Sequence, residues 1–331
     1  MVTPRSIPSP PPEWAVFDVW IFQIHTYAIC ILLGIVVAIL LTSRRLTKRG
    51  AEPGVVIDVA LWAVPLGIIA ARLWHVFTHP GDYFGGDRTI GDTLWGIIQI
   101  WEGGNAIFGS LVGGAVGVWI GCRLTGLRFW SFADALAPGL LLAQAIGRLG
   151  NWFNHELFGQ PTDLPWGLEI ESTNPAFPAG LAPGTLFHPT FLYEMLWNIF
   201  GAVLLLLIER EWRLQWGKLF ALYLVWYGLG RIWFESIRVD PSEVILGLRI
   251  NVWGAILAVV LGLVIFLVQR RRHTGIEPSP YVPGREWGRD EDQVESVYTA
   301  EDFEQDREDV AAVPAGASAT SAGSAGNSAR R

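Results

Sequence analysis

The chain has 331 residues, of which 51% are hydrophobic and only 17% are charged, and it contains 17 Trp. This composition is too apolar and too rich in tryptophan for an ordinary soluble domain, and it predicts a polytopic membrane protein. The formal net charge of −7 is uneven, because residues 274–331 hold 12 acidic and 5 basic side chains while the preceding residues hold 19 of each sign. No basic surface for nucleic acid is indicated.

Residues 1–19 form a leader that begins MVTPRSIPSPPPE, rich in proline and with one basic residue. The leader lacks the basic region followed by an apolar stretch that marks a cleavable signal peptide. We therefore expect it to remain as an extracytoplasmic segment, and targeting to depend on the first membrane-crossing helix.

Seven apolar segments follow, each of a length that approaches the roughly 20 residues a helix needs to cross a bilayer. They are residues 26–43, 55–77, 106–122, 129–147, 189–208, 219–237 and 252–268. The expected fold class is all-α, with seven transmembrane helices in one domain that covers residues 20–273.

The connections after the first, third, fifth and seventh segments are rich in Lys and Arg, and the last of them contains Arg270, Arg271 and Arg272. Because cytoplasmic loops are enriched in these residues, we expect the N-terminus outside and the C-terminus in the cytoplasm. The outward end of the fourth segment then enters a long external stretch rich in Gly and Pro.

Residues 145–159, AIGRLGNWFNHELFG, gather polar side chains where the fourth segment leaves the membrane. An ionisable group costs roughly 2.5–3.5 kcal/mol at the centre of a spanning helix and less near its ends, so it needs a partner or a function. Arg148 can bind a phosphate, Asn151 and Asn154 can donate to hydroxyls or phosphate oxygens, and Glu156 can orient an arginine or accept a proton. The alternative for both asparagines is a turn that ends the helix.

The sixth segment carries a second polar face. Tyr227, Arg231, Glu235 and Arg238 stand at i, i+4, i+8 and i+11, which places all four on one side of a helix. One explanation is an Arg231–Glu235 ion pair that only packs against a neighbouring helix. Because a pair that faces lipid stays costly, we favour a polar cavity near the outward end, which Arg148 approaches from the fourth segment.

Three more polar residues lie in the predicted spans or at their ends: Arg72 in the second segment, His188 before the fifth, and Glu194 within it. Glu194 can pair with Arg72 or with Arg231, and the sequence does not decide between them. A lone histidine such as His188 is better explained as a hydrogen-bonded residue at the interface than as a proton carrier. Two guanidinium groups beside the external headgroup plane make a receptor for the phosphate of an anionic lipid.

Residues 274–331 are acidic at first and then rich in Ala, Gly and Ser, with few large apolar side chains. Such a composition does not build a core, and we expect a disordered cytoplasmic tail. The chain shows no phosphate-binding loop, dinucleotide fingerprint or zinc-ligand spacing, so no metal or cofactor is expected.

Several stretches of the membrane domain match one known pattern. They are IHTY at 24–27, ARL at 71–73, WEGG at 101–104, ADALAP at 133–138, GRLGNWFNHELFG at 147–159, HPTFLYE at 188–194 and YGLGRIWFESIR at 227–238. The fifth of these resembles the signature of the bacterial prolipoprotein diacylglyceryl transferases, which is long and specific. The resemblance covers residues 20–270 and leaves the leader and the tail unexplained.

The resemblance implies a multi-pass enzyme of the bacterial cytoplasmic membrane with its active site toward the outer leaflet. Its partners are phosphatidylglycerol and the signal peptide of a prolipoprotein, whose lipobox cysteine receives the diacylglyceryl group. A thioether forms and glycerol phosphate leaves. Charge that grows on the leaving group needs preorganised cations, and Arg148 and Arg231 are our candidates for that role.

The candidate residues fall into two groups. The expected catalytic residues are Arg148, Arg231, Glu235 and Tyr227, of which Glu235 either holds an arginine or receives the thiol proton. The expected substrate-binding residues are Tyr27, Arg72, Asn151, Asn154, Glu156, His188 and Arg238. The correspondence to the family gives Tyr27, Asn151, Glu156, Tyr227 and Glu235 directly.

One position departs from the family. Many members carry a His-Gly-Gly element at the entrance of the third span, and its histidine has been proposed as a base. The stretch here reads NAIFGSLVGG, with Phe108 in place of that histidine. A free thiol has a pKa of about 8.5, so thiolate formation needs a base or a positive field. That role passes to Tyr227, Glu235, Glu156 or His25, or to the arginines.

Two other functions are compatible with the composition. A small-anion transporter also places Arg and Glu pairs inside a bundle, although its binding groups would lie near the membrane midplane. A lipid-sensing anchor for the acidic tail would depend on residues 274–331, whereas a transferase would not.

Without the family histidine, we predict that no histidine is indispensable. Separate replacement of His25, His155 and His188 by a residue that cannot carry a proton should leave lipid transfer measurable in each variant. Complete loss of transfer in any one of the three, with the protein still folded, would contradict this prediction.

Overall fold

The computed structural model describes residues 6–20, 22–84, 89–100, 103–104, 106–240 and 242–288. One compact unit extends to Trp287. Its helices are α1 (Thr26–Lys48), α2 (Val55–Thr78), α3 (Gly81–Phe84), α4 (Ile90–Ile98), α5 (Ile107–Thr125), α6 (Phe129–Phe153), α7 (Thr190–Trp212), α8 (Lys218–Ile237) and α9 (Ile250–Arg272). Its strands are β1 (Val16–Val19), β2 (Phe22–His25), β3 (Leu168–Glu169), β4 (Leu186–Phe187), β5 (Val244–Ile245) and β6 (Leu248–Arg249).

Six helices are long and apolar enough to cross a membrane, namely α1, α2, α5, α6, α7 and α9. The predicted class, a mostly helical multi-span membrane protein, is therefore confirmed. The remaining predicted crossing corresponds to α8, which has 20 residues but is not among these six. Lys218, Arg231 and Glu235 lie within α8 and lower its apolar character, so the seventh crossing stays a prediction.

α6 is the most buried of the six membrane-crossing helices. α1 and α7 pack along it, and α8 contacts α6 and α7 on one side and α9 on the other. Because α6 occupies this central place, side chains at its C-terminal end can meet side chains from α7 and α8 within one cluster.

α2 and α5 pack closely through a stripe of small residues. Glycines repeat at every fourth position of α5, at Gly109, Gly113, Gly117 and Gly121. A Cβ atom added at Gly113 would lie only 2.3 Å from the carbonyl oxygen of Leu66 in α2. Small side chains let membrane helices approach to backbone contact, so this stripe has a packing role.

Three two-stranded antiparallel sheets, β1–β2, β3–β4 and β5–β6, add to the helices and were not predicted. The first joins the end of the leader to the residues before α1, and residues 6–10 of the leader contact the end of α6 and the connection between α6 and α7. The backbone nitrogen of Ile7 donates to Gly167 O at 2.8 Å, and Nε2 of His155 lies 2.7 Å from Pro10 O. The leader, which was expected to be separate from the membrane domain, therefore packs against it.

Opposite the predicted site, the C-terminal ends of α1, α7 and α9 lie beside the N-terminal ends of α6 and α8; we call this the basic end. The Asp134 carboxylate is fully buried and accepts the backbone N–H groups of Gly217 at 2.7 Å and Phe220 at 2.8 Å. An acceptor at a helix N-terminus satisfies amides that have no partner within the helix. The buried Asp134 side chain therefore fixes the start of α8 against α6.

The first part of the predicted tail is packed at the basic end. Tyr281 is 2% exposed, and its hydroxyl accepts the backbone N–H of Glu52 at 3.0 Å. Burial raises the pKa of this phenol. Glu277 accepts the Trp216 N–H at 2.8 Å, and Arg285 donates to Leu124 O at 2.7 Å. The expected disorder is therefore wrong for residues 274–288, because a few well-placed side chains hold a segment whose average composition is polar. Residues 289–331 lie outside the described part.

A pair of truncations tests this correction. Removal of residues 288–331 should leave the melting temperature of the detergent-solubilised protein unchanged. Removal of residues 274–331 should lower it, because the loss of the buried Tyr281 ring and of its hydrogen bonds costs about 2–4 kcal/mol. Equal melting temperatures for the two truncations would show that the segment does not stabilise the helix ends. Because removal of residues 274–331 should also destabilise the fold, only the removal of residues 288–331 tests the lipid-sensing role considered for the tail.

Candidate active site

Two arginines from different helices meet at one carboxylate. Nη2 of Arg148, near the end of α6, lies 2.7 Å from Oε2 of Glu194 in α7, and Nη1 of Arg231 in α8 lies 3.9 Å from the same oxygen. The Glu194 side chain is only 6% exposed. The predicted convergence of Arg148 and Arg231 is therefore present. Of the two partners considered for Glu194, the structure supplies Arg231, and it adds Arg148.

The polar face of α8 continues from this point. Nη2 of Arg231 lies 2.9 Å from Oε2 of Glu235 one turn later. Tyr227 lies one turn before Arg231, and its ring stacks on Tyr223 with the ring centroids 6.2 Å apart. Glu235 is 1% exposed. The Arg231–Glu235 ion pair considered from the sequence is present, and Glu194 of the neighbouring α7 also approaches the Arg231 guanidinium.

Arg238 was expected on the same helical face, but α8 ends at Ile237. The backbone of Arg238 is extended, with φ −81° and ψ 146°, so its side chain does not continue the stripe. Its Nε lies 2.7 Å from Oδ1 of Asp240, and the residue is 7% exposed. The Arg238 side chain therefore joins the cluster through Asp240, while its backbone carbonyl accepts a hydrogen bond from Arg249.

Arg249 and Asn251 were missed by the sequence analysis. Nε of Arg249 lies 2.9 Å from Oε1 of Glu235, and Nδ2 of Asn251 donates to that oxygen at 3.0 Å. Both residues come from the start of α9. The sequence does contain one indication of this role. Arg249 directly precedes the last apolar segment, on the expected external side of the membrane, where few basic residues are expected.

The polar residues after Arg148 form a chain of hydrogen bonds. Nη1 of Arg148 donates to Oδ1 of Asn151 at 3.2 Å, and Asn151 donates to Oε1 of Glu156 at 2.9 Å. Asn154 donates to the same oxygen at 3.3 Å. α6 extends to Phe153, beyond the predicted end at residue 147, so Asn151 lies inside the helix. Asn154 is the C-cap residue, as the turn alternative expects, and it also supports Glu156.

Tyr27 in the first turn of α1 lies beside this chain. A Cβ added at Gly150 would be 2.5 Å from Cδ2 of Tyr27, so glycine is required for the tyrosine ring to reach α6 here. The residue is 37% exposed. Tyr27 therefore packs against α6 at Gly150, two residues after Arg148, and its role in substrate binding stays a prediction.

Arg72 and His188 have other partners. The Arg72 guanidinium donates to the carbonyls of Gly96, Gly103 and Gly104 and to that of Ile97 at 2.9 Å. It therefore fastens the connection between α2 and α5, and its part in substrate binding stays a prediction. Nδ1 of His188 lies 3.2 Å from the Tyr193 hydroxyl, in keeping with a hydrogen-bonded interface residue.

Comparison with known proteins finds the same family that the sequence motifs resemble. The family described as prolipoprotein diacylglyceryl transferase matches residues 15–268. The chain belongs to this family. A phosphatidylglycerol--prolipoprotein diacylglyceryl transferase of Leifsonia xyli subsp. xyli (strain CTCB07) is 64% identical over 303 residues, which are 89% of this chain and 90% of the relative.

Two further relatives of the same name are more distant. The protein of Frankia alni is 46% identical over 262 residues, 79% of this chain and 67% of the relative. One from Streptomyces coelicolor, whose name carries the number 2, is 47% identical over 268 residues, 81% of this chain and 83% of the relative. Membership of this family gives no support to the small-anion transporter.

Phe108, which stands where many members of the family carry a histidine, packs against the start of α9. Its Cε1 and Cζ atoms lie 3.3 and 3.5 Å from where a Cβ on Gly254 would be, in the first turns of α9. Position 108 therefore lies about one helical turn beyond Asn251. In this member of the transferase family an apolar ring packs at that place.

The described cluster balances its own charge. Four arginines, Arg148, Arg231, Arg238 and Arg249, face four carboxylates, Glu156, Glu194, Glu235 and Asp240. Buried charges are tolerated when they are paired and hydrogen-bonded, which explains how so many ionisable groups can lie among apolar helices. An anion that enters the cluster must therefore compete with one of these carboxylates for an arginine.

Proposed function

We propose that this chain transfers the diacylglyceryl group of phosphatidylglycerol to the cysteine thiol of a prolipoprotein. The observation that carries the proposal is the single Glu194 oxygen approached by Arg148 and Arg231. Membership of the transferase family and the names of its relatives support the same reaction.

The lipid phosphate would take the place of the Glu194 oxygen between the two guanidinium groups. Guanidinium groups bind phosphate by charge-assisted hydrogen bonds, and their planar fork fixes its orientation. In the reaction, the bond between the diacylglyceryl carbon and the phosphate oxygen breaks and a carbon–sulfur bond forms. The proton of the thiol ends on the glycerol phosphate that leaves. Arg148 and Arg231 stabilise the negative charge that grows on the leaving oxygen.

The neighbouring residues have supporting roles in this proposal. Asn151 and Glu156 hold Arg148 in place, and Asn154 holds Glu156. Tyr27 and Tyr227 lie beside Arg148 and Arg231, where their hydroxyls can contact the lipid headgroup or the thiol. Arg72 and His188 act less directly, by fixing the external connections around the site.

The proposed membrane arrangement has seven crossings, with α8 as the seventh, the N-terminus outside and the C-terminus in the cytoplasm of a bacterial cell. α8 packs against α6, α7 and α9, which gives its polar face protein neighbours rather than lipid. Basic residues occupy the last turns of α1 and α9 at the basic end, as cytoplasmic ends do. The site then opens toward the outer leaflet, where phosphatidylglycerol headgroups and signal-peptide cysteines are accessible.

The direct test is transfer from phosphatidylglycerol vesicles to a synthetic signal peptide with one cysteine. Arg148→Ala should reduce turnover roughly 100-fold or more, the size of effect expected when one preorganised donor to a developing anion is removed. Arg231→Lys keeps the charge but loses the planar fork, and should reduce turnover about 10-fold or more. Arg210→Ala, an exposed arginine in the last turn of α7, is the matched control and should behave as the parent.

Two outcomes would contradict the proposal. Absence of transfer by the folded parent protein would remove the reaction itself. Parental turnover in Arg231→Lys would leave the reaction but remove the bidentate phosphate role of Arg231.

A further inference from the structure

Glu235 is the most completely buried carboxylate of the described cluster, and donors from two helices hold it. Arg231 contacts Oε2 from within α8, while Arg249 and Asn251 contact Oε1 from the start of α9. Its side chain has no exposed surface. Both oxygens of this carboxylate are therefore engaged, and each side is supplied by a different element of the fold.

Arg249 is itself held by the turn that follows α8. Its Nη1 donates to Arg238 O at 3.0 Å, and its Nη2 donates to Asp240 O at 2.7 Å and lies 3.0 Å from Oδ2 of Asp240. Nη1 and Nη2 of Arg249 are therefore hydrogen-bonded to this turn, while Nε makes the ion-pair contact with Glu235. The hairpin β5–β6 delivers Arg249 to this place, since Val244 pairs with Arg249 across it.

These contacts decide between the two roles considered for Glu235. A carboxylate that lies 2.9 Å from each of two guanidinium groups, and that accepts a hydrogen bond from one amide, is fixed in place from both sides. If it took the thiol proton instead, Arg231 and Arg249 would both face a neutral acid in a buried site, and an unpaired buried charge is strongly destabilising. Glu235 is therefore better suited to orient Arg231 than to act as the base.

We infer that Arg249 and Asn251 are positioning residues that lock Glu235, so that Arg231 keeps its Nη1 side turned toward Glu194 and the incoming phosphate. This inference rests on the proposed function, because it concerns the same phosphate site. It adds Arg249, the N-cap residue of α9, and Asn251 in the first turn of α9. It also gives a role to the short β5–β6 hairpin before α9, because this hairpin positions Arg249 beside Glu235.

The test measures kcat, the KM for phosphatidylglycerol and the melting temperature of purified full-length variants. Arg249→Met should lower kcat about 10- to 100-fold with a smaller change in KM, because Arg231 remains but is no longer held for the transition state. Arg249→Lys should recover only part of this loss, since one ammonium cannot reach Glu235 and Asp240 together. Arg271→Met, an exposed arginine at the other end of α9, is the control and should match the parent.

A merely structural role is distinguished by coupling to Glu235. If Arg249 acts through Glu235, Arg249→Met should reduce kcat strongly in the parent and little in a Glu235→Gln background. Asn251→Leu, a milder change, gives a second readout if Arg249→Met does not fold, and should likewise lower kcat more than it raises KM.

The inference is overturned if the folded variants keep the parental kcat, or if Arg249→Met and Glu235→Gln act independently. These outcomes differ from a failure of the proposed function, in which the parent protein itself shows no transfer.

Discussion

A carboxylate shared by two arginines is the constraint on which the arrangement of the membrane domain depends. Glu194, Arg148 and Arg231 lie on α7, α6 and α8, and each is largely buried. Removal of one partner from a buried pair leaves an uncompensated charge that costs about 3–5 kcal/mol. The three helices must therefore meet at this height and in this rotation, and the central position of α6 makes the meeting possible. Asp134 gives the opposite end of α6 and α8 a comparable anchor.

The same constraint explains how a neutral cluster can bind an anion. Glu194 places a carboxylate oxygen between two guanidinium groups, and in the proposed function a lipid phosphate takes that place, so that both arginines keep an anionic partner. In this proposal Arg231 stays in place during the exchange, because Glu235 contacts it from the other side. Glu235 in turn is held from α9. The cluster can therefore give up one contact and keep its geometry, which preorganisation for catalysis requires.

Part of this candidate site was predictable from the helical spacing of its residues and from the free-energy cost of placing charged side chains in membrane-spanning helices. Arg148, Arg231 and Glu235 were recognisable because charges in apolar helices need partners, and because i, i+4 spacing fixes a common face. The choice of Glu194 as the shared partner depends on how three helices pack, which no single segment encodes. Arg249 was missed because its role comes from a short hairpin. The packed segment at Tyr281 was missed because composition averaged over a long tail hides a few specific contacts.

The central claim is that Arg148 and Arg231 contact one lipid phosphate, and a distance measurement tests it most directly. Solid-state NMR can measure the separation between the phosphorus of bound phosphatidylglycerol and ¹⁵N-labelled arginine side chains in the parent, in Arg148→Lys and in Arg231→Lys. The account predicts two arginines at direct hydrogen-bonding distance in the parent, and the loss of one of these contacts in each variant. Phosphorus contacts that are absent from the parent, or that persist unchanged in both variants, would contradict it.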